Sequence, residues 1–114
     1  MDFDEALEKF LAKVGANMKA HYGERFPTLV WSDIPGDPGA DNSPPFVYGG
    51  RKYLKIAIGH GYRMSVYCFV EVETGSILKA ETWKKPSLID RGASIYSPET
   101  YENADAYGSW LYIR

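Results

Sequence analysis

Apolar residues recur every three or four positions at the start of the chain and alternate with polar residues further on. The first set comprises Phe3, Leu7, Phe10, Leu11, Val14 and Met18. This spacing predicts an amphipathic helix from about residue 3 to residue 21. Asp2 and Glu5 form a capping box at its start, and Gly23 is a natural end. The apolar stripe is expected to pack against a sheet.

The later pattern predicts strands. Four stretches have the short or alternating apolar pattern that is typical of strands: residues 28–31, 52–58, 64–72 and 77–83. A loop rich in Pro, Gly and Asp at residues 33–45 separates the first predicted strand from the other three. We therefore predict an α+β fold: an N-terminal amphipathic helix (1–23) packed on an antiparallel β-meander of 4–5 strands (28–83). Residues 84–114 follow as a loop, a short helix that begins near Pro98 and a terminal edge strand at 110–113, all in a single domain spanning 1–114.

The hairpin between the last two long strands is predicted from its turn residues. A three-residue loop, Glu73-Thr74-Gly75, pairs Val70 with Leu78 and gives one uniformly apolar face. A two-residue loop would place Lys79 opposite Val70, which mixes charge into the core. The three-residue loop is therefore favoured. It turns Val66, Val70 and Val72 inward and leaves an aromatic and charged second face.

Composition narrows the class of protein. Cys68 is the only cysteine, so an internal disulfide is impossible and a reducing compartment is expected. No apolar run reaches the roughly 20 residues that a membrane span needs, and the acidic start is unlike a signal peptide. We therefore expect a cytoplasmic protein with no membrane partner. Net charge is +4 over residues 51–92 but −4 over residues 1–50, so an anionic partner would meet the middle third.

A sequence resemblance covers about residues 63–95. Its motifs are Tyr67-Cys68-Phe69-Val70, Thr74-Gly75-Ser76-Ile77-Leu78-Lys79-Ala80, Trp83-Lys84-Lys85-Pro86 and Arg91-Gly92. They resemble the core of small, mostly uncharacterised proteins encoded by tailed bacteriophages. Ser76 stands where that group usually has aspartate. The resemblance implies phage origin and a role in the host cytoplasm, with no assigned reaction.

The second sheet face is the main candidate binding site. Its aromatic and basic residues, with the rim, are Tyr53, Lys55, Tyr67, Phe69, Lys79, Trp83, Lys84, Lys85 and Arg91. Aromatic rings stack on nucleic-acid bases and cations hold phosphates, so such a face suits a nucleotide or single-stranded nucleic acid. Alternatively, the chain's own C-terminal segment or a second copy covers it, because exposed patches of this size are seldom bare.

Few residues in the sequence point to catalysis or to metal binding. His60 lies between two glycines and is more typical of a turn than of a general base. Glu71 with Glu73 or Glu81 forms a carboxylate pair, for which ion pairing with Lys79 is the simpler interpretation. One cysteine and two distant histidines do not favour a zinc site. We therefore expect no cofactor, no metal and no catalytic residues.

The sequence is compatible with three functions. The first is a non-catalytic phage accessory protein that binds a host protein or complex. The second is a nucleotide or single-stranded nucleic-acid binder, including a sponge for a defence signalling nucleotide. The third is a homo-oligomeric structural protein whose second sheet face is the interface.

Overall fold

The computed structural model describes residues 2–111 and contains one long helix and a four-stranded antiparallel sheet. The helix and strands are α1 (Phe3–Arg25), β1 (Phe46–Gly49), β2 (Tyr53–Ile58), β3 (Ser65–Glu71) and β4 (Ile77–Leu78). Three short 3₁₀ turns occupy Gly61–Arg63, Pro98–Thr100 and Ser109–Leu111. The strands lie in the order β1-β2-β3-β4. The predicted α+β class with a β-meander is confirmed.

Helix α1 follows the predicted apolar stripe and extends beyond its predicted end. Asp2 is the N-cap, and its carboxylate accepts a hydrogen bond from the Glu5 N–H at 2.8 Å. The stripe that includes Phe10, Val14 and Met18 is buried. The prediction that Gly23 ends the helix is wrong, because the helix continues to Arg25 and the Phe26 N–H caps it on the Tyr22 carbonyl. A glycine one turn from a helix end costs only about 1 kcal/mol, which tertiary packing offsets.

The β3–β4 hairpin differs from its predicted register by one residue. Val70 pairs with Ile77 and Phe69 with Leu78, so the loop has four residues rather than three. The Gly75 N–H donates to the Glu71 carbonyl at 2.7 Å, and the Glu71 N–H donates to the Ser76 carbonyl at 2.9 Å. The physical reason is that β4 ends at Leu78. Since Lys79 is therefore outside the ladder, a register that buries Ile77 brings no charge into the core.

The inward-facing valines are confirmed only in part. Val70 is fully buried, whereas Val66 is half-buried and Val72 is exposed in the turn. The alternation also breaks at Tyr67, because Ile56 pairs with Cys68 while Ala57 pairs with Val66. Tyr67 is the extra residue of a β-bulge, and its side chain joins the core on the helix side of the sheet.

Three further strand predictions are wrong. Residues 28–31 form no strand, and Trp31 makes only an isolated bridge to Asn42. The predicted strand 77–83 stops after two residues. Ser109–Leu111 is a 3₁₀ turn rather than part of a strand, and the remainder of the predicted strand 110–113 lies outside the described residues. In contrast, Phe46–Gly49 is a strand that we did not predict.

The core forms on one face of the sheet. Helix α1 supplies residues including Phe10, and the sheet supplies Ile56, Cys68 and Val70. The segment 93–111 completes this core with Ala93, Ile95, Tyr101, Ala104, Ala106, Trp110 and Leu111. The Ile95 N–H also donates to the Gly75 carbonyl at 2.9 Å, so this segment lies along the β4 edge. Within residues 2–111, no helix is both long and apolar enough to cross a membrane.

Candidate functional site

A cavity of about 310 Å³ opens beside strand β1, on the sheet face that carries Lys55 and Phe69. Aromatic rings, glycine backbone and lysines line it. We call it the aromatic–basic pocket, and its lining residues are Tyr48, Gly49, Gly50, Tyr53, Lys55, Phe69 and Lys84. Trp83 borders this pocket through its contacts with Lys55 and Tyr48. A volume near 300 Å³ lies at the lower end of the range for small-molecule sites.

The β1–β2 hairpin shapes one wall of the pocket. The pairing shifts between Val47 and Gly49, so Tyr48 lies in an irregular position of the edge strand. Gly50 has φ +115°, and a Cβ there would collide with the Tyr53 carbonyl oxygen. Only glycine allows the chain to turn this tightly at that point. The hairpin thus brings Tyr48 and Tyr53 to the same pocket.

A compact strap of residues 80–86 shapes the opposite wall. Ala80 bridges to Pro86, and the N–H groups of Glu81 and Thr82 both donate to the Lys85 carbonyl, at 2.9 and 3.0 Å. These bonds hold Trp83 at the tip of a tight turn. Its ring centroid lies 4.0 Å from the Lys55 Nζ and 5.6 Å from the Tyr48 ring centroid.

The Lys55 ammonium is the electrostatic centre of the pocket. Besides Trp83, it lies 5.9 Å from the Tyr48 ring centroid. The face of an aromatic ring attracts a cation by about 0.5–1 kcal/mol at exposed sites and more when desolvated. The contacts with these rings therefore position the ammonium. Among the ion pairs of the described residues, none joins Lys55 to a carboxylate. Lys84 adds a second cation to the pocket lining.

The structure brings together five of the nine residues predicted for this face. Tyr53, Lys55, Phe69 and Lys84 line the aromatic–basic pocket, and Trp83 contacts it. The remaining lysines and the arginine are not among its lining residues: Lys79 and Arg91 are half-buried, whereas Lys85 is exposed. Of the three basic rim residues Lys84, Lys85 and Arg91, Lys84 therefore lines this pocket and the other two do not.

The prediction that Tyr67 faces outward is wrong. Tyr67 is 5% exposed on the core face, where its hydroxyl donates to the Asp105 carbonyl at 2.6 Å and accepts from the Trp110 Nε1 at 2.8 Å. Burial raises the pKa of this hydroxyl well above its usual value. Phe69 does lie on the second face but is 3% exposed, so it forms a floor rather than a stacking surface.

The cover of the second face also differs from the alternative considered above. The C-terminal segment up to Leu111 packs into the helix-side core. The strap 80–86 lies at the second face instead, and it leaves Trp83 37% exposed. The face is therefore partly covered by the chain itself and partly accessible.

Tyr48 is the site residue that sequence reasoning missed. It is half-exposed and contacts both Trp83 and Lys55. The signal was the run Phe46-Val47-Tyr48 followed by Gly49-Gly50, which is typical of a strand entering a hairpin. The proline-rich loop immediately before it concealed this short strand.

The other candidates for chemistry lie apart from this pocket. Cys68 is fully buried, and burial raises the pKa of its thiol, which keeps the thiol protonated. The Glu71 carboxylate accepts a hydrogen bond from the Thr74 hydroxyl at 2.6 Å. Among residues 2–111, no three His, Cys, Asp or Glu side chains are grouped so as to hold a metal ion.

Comparison with known proteins gives one match. A model described as "Family of unknown function (DUF7717)" matches residues 7–113. No curated protein and no solved structure matches the chain.

Proposed function

We propose that this chain, which belongs to the family of unknown function DUF7717, is a non-catalytic binding protein whose aromatic–basic pocket binds a nucleotide. The observation that carries the proposal is the position of Lys55. Its ammonium lies 4.0 Å from the Trp83 ring centroid, in a pocket walled by Tyr48 and Tyr53. Aromatic faces and cations in one pocket are the groups that a base and its phosphate require.

The chemistry of the lining suits a nucleotide. Two tyrosine rings and two lysines are among the described lining residues. A base stacked on an aromatic side chain gains about 1–3 kcal/mol. The lysines attract phosphate oxygens as point charges.

The size of the pocket favours a short ligand. A cavity of about 310 Å³ accommodates one nucleotide unit. A mononucleotide, a small cyclic nucleotide or the end of a flexible single strand fits this description better than a strand read at many positions. The resemblance to phage proteins adds a setting to the proposal: an accessory factor that sequesters a signalling nucleotide in the infected host cytoplasm.

The test measures nucleotide binding to matched lysine variants. We expect the wild-type chain to bind mononucleotides, cyclic nucleotides or a short oligothymidylate in calorimetric titrations at low salt. Affinity should fall as salt rises, because phosphate contacts release counterions. Lys55→Met keeps the side-chain length but removes the charge, so it should weaken binding by about tenfold or more.

Lys13→Met is the matched control, since Lys13 is an exposed lysine on α1 that does not line the pocket. It should leave the affinity unchanged. Thermal melting of both variants checks that the fold is intact. Absence of binding to all three ligand classes at low salt would remove the proposal, as would equal losses in the two variants.

A second candidate is a phage accessory protein that captures a host protein. The observation in its favour is an exposed apolar stretch directly after α1, in which Phe26, Leu29, Val30 and Ile34 are 41–65% exposed. Exposed apolar groups of this kind are typical of protein interfaces. The expected result is stoichiometric recovery of one host protein on the wild-type chain, lost on Val30→Asp. The third function, self-assembly, predicts a dimeric mass at micromolar concentration instead.

A further inference from the structure

A second cavity, of about 120 Å³, lies between three segments that are distant in sequence. Its walls come from α1 (Met18 and Tyr22), from residues 41–43 of the long loop, and from residues 58–65 around the β2–β3 turn. It shares no lining residue with the aromatic–basic pocket. It therefore requires a separate explanation.

The β2–β3 turn brings two nitrogen-rich side chains to this cavity. Gly59 and Gly61 adopt φ values of +84° and +54°, which favour glycine. A Cβ on Gly59 would lie 2.8 Å from the Arg63 carbonyl oxygen. The turn closes with the Arg63 N–H donating to the His60 carbonyl at 3.0 Å. As a result, His60 and Arg63 both line the cavity, with His60 half-buried and Arg63 exposed to solvent.

The cavity is rich in hydrogen-bond donors. Within the described part of the chain, the side chains of Asn42, Arg63 and Ser65 make no hydrogen bond, and Arg63 forms no ion pair. Arginine and asparagine supply N–H donors, and serine supplies an O–H donor. Arg63 and Ser65 are exposed and Asn42 is half-buried, so water satisfies these donors in the free protein, and a ligand with several acceptor oxygens would replace that water.

One carboxylate lines this cavity together with these donors. Asp41 lines the same cavity, and one of its carboxylate oxygens accepts from the Val30 N–H at 2.7 Å. This bond anchors the carboxylate and leaves its second oxygen for another donor. A ligand that presents both anionic oxygens and a hydroxyl satisfies both sides of the cavity.

We infer that this cavity is a site for a small oxyanion that carries a hydroxyl, of which inorganic phosphate is the simplest. Arg63 binds two anionic oxygens through its planar guanidinium, and Asn42 and Ser65 donate to a third. The phosphate hydroxyl donates to Asp41. The cavity has room for several waters or for one tetrahedral anion.

The experiment is a nuclear magnetic resonance titration of the isotopically labelled full chain with inorganic phosphate at constant ionic strength. Amide shifts are expected at residues 41–43 and 58–65. Arg63→Ala should weaken the apparent affinity by about tenfold or more, and Arg63→Lys should give a smaller loss, because lysine keeps the charge without the bidentate geometry. Arg51→Ala is the matched control, since Arg51 is exposed and does not line the cavity.

Sulfate tests the role of Asp41. It has the same shape as phosphate but carries no hydroxyl at neutral pH, so it should bind more weakly than phosphate. The inference is overturned by no shifts at millimolar phosphate, by equal losses in Arg51→Ala and Arg63→Ala, or by sulfate binding as tight as phosphate. Shifts confined to Lys55 and Lys84 would also overturn it, because they would place the anion in the aromatic–basic pocket.

Discussion

Tyr67 connects the central strand to the last described segment of the chain. Its hydroxyl donates to the Asp105 carbonyl and accepts from the Trp110 indole nitrogen, and both bonds span about forty residues of sequence. The Asp105 carboxylate in turn accepts from the N–H groups of Tyr107 and Ser109, both at 3.0 Å, and from the Ser109 hydroxyl. This one phenol therefore organises the turn that places Trp110 in the core.

Replacing Tyr67 with phenylalanine should destabilise the protein. Tyr67→Phe leaves the ring in place but removes the partner of a buried indole N–H and of a backbone carbonyl. An unsatisfied buried polar group costs about 1–3 kcal/mol, and we expect a loss in that range in the free energy of unfolding. Urea denaturation followed by tryptophan fluorescence measures it.

Tyr62→Phe is the control for this change, because Tyr62 is 95% exposed. Its hydroxyl makes no hydrogen bond within the described residues. Its removal should therefore leave the unfolding midpoint unchanged. An equal loss in both variants would show that the buried network contributes nothing specific.

The two faces of β3 could be predicted from the sequence only in part. Alternation predicted correctly that Phe69 and Lys55 share a face, since the two residues are paired in the register. It placed Tyr67 on that face as well, because a bulge between strands leaves no mark on the apolar pattern. One extra residue in β3 therefore places Tyr67 in the core and not on the face where it could stack on a ligand.

Among the elements, the long loop 33–45 is ordered by side-chain hydrogen bonds as well as by the burial of Ala40, Ser43 and Pro45. Asp37 accepts from the Ser32 hydroxyl at 2.7 Å and from the Gly39 N–H at 2.8 Å, and the Ser43 hydroxyl accepts from the Gly36 N–H at 3.1 Å. The Ser32 hydroxyl, then the Gly39 N–H, and lastly the charge of His60 lower the pKa of Asp37. Composition predicted this loop but not its internal bonding.

The lowered pKa of Asp37 predicts a dependence of stability on acid. A carboxyl whose pKa is lower in the folded state stabilises the fold above its unfolded pKa of about 4. That contribution disappears as the pH falls through the folded pKa. We therefore expect the melting temperature of the wild-type chain to decrease below about pH 4, and Asp37→Asn to show a smaller decrease. Melting curves recorded from neutral to acidic pH measure the difference, and parallel profiles for the two proteins would contradict it.

The register of the β3–β4 hairpin depends on where strand β4 ends. The four-residue turn is held by Thr74, whose hydroxyl donates to the Glu71 carboxylate at 2.6 Å and accepts from the Ser76 N–H at 3.2 Å. Strand propensity continues past Leu78, so the sequence suggested a longer β4 with Lys79 inside it. Because β4 ends at Leu78, Lys79 lies outside the ladder and its charge does not select between the registers.

For the whole molecule, the sheet and the helix form a single core around Cys68. The thiol is fully buried on the middle strand β3, and burial raises its pKa, so the reactive thiolate is scarce in the folded state. We expect Cys68 to react with a disulfide reagent only when the chain unfolds globally. The reaction rate should rise with urea along the same dependence as global unfolding. Reaction in native buffer at the rate of a free thiol would contradict this.

The sequence predicted the structure most accurately where apolar residues recur at a regular spacing. The 3.6-residue spacing of Phe10, Val14 and Met18 identified α1, and the two-residue spacing of Leu54, Ile56 and Ile58 identified β2 with the correct inward face. The segment 93–111 has no such period, although it supplies seven residues of the core. The aromatic–basic pocket was found in part because its lysines and rings lie on regular strands, whereas the strap that completes it is irregular.

The contacts between α1 and the segment 93–111 have a consequence for folding kinetics. The Asn17 amide donates to the carbonyl of Ala104, 87 residues away, and the Phe10 and Tyr101 rings pack at 5.0 Å. Closing so long a loop costs entropy that grows with the logarithm of its length. Because helix α1 packs on residues around position 100, the chain should cross its rate-limiting barrier more slowly than a helical bundle of equal size.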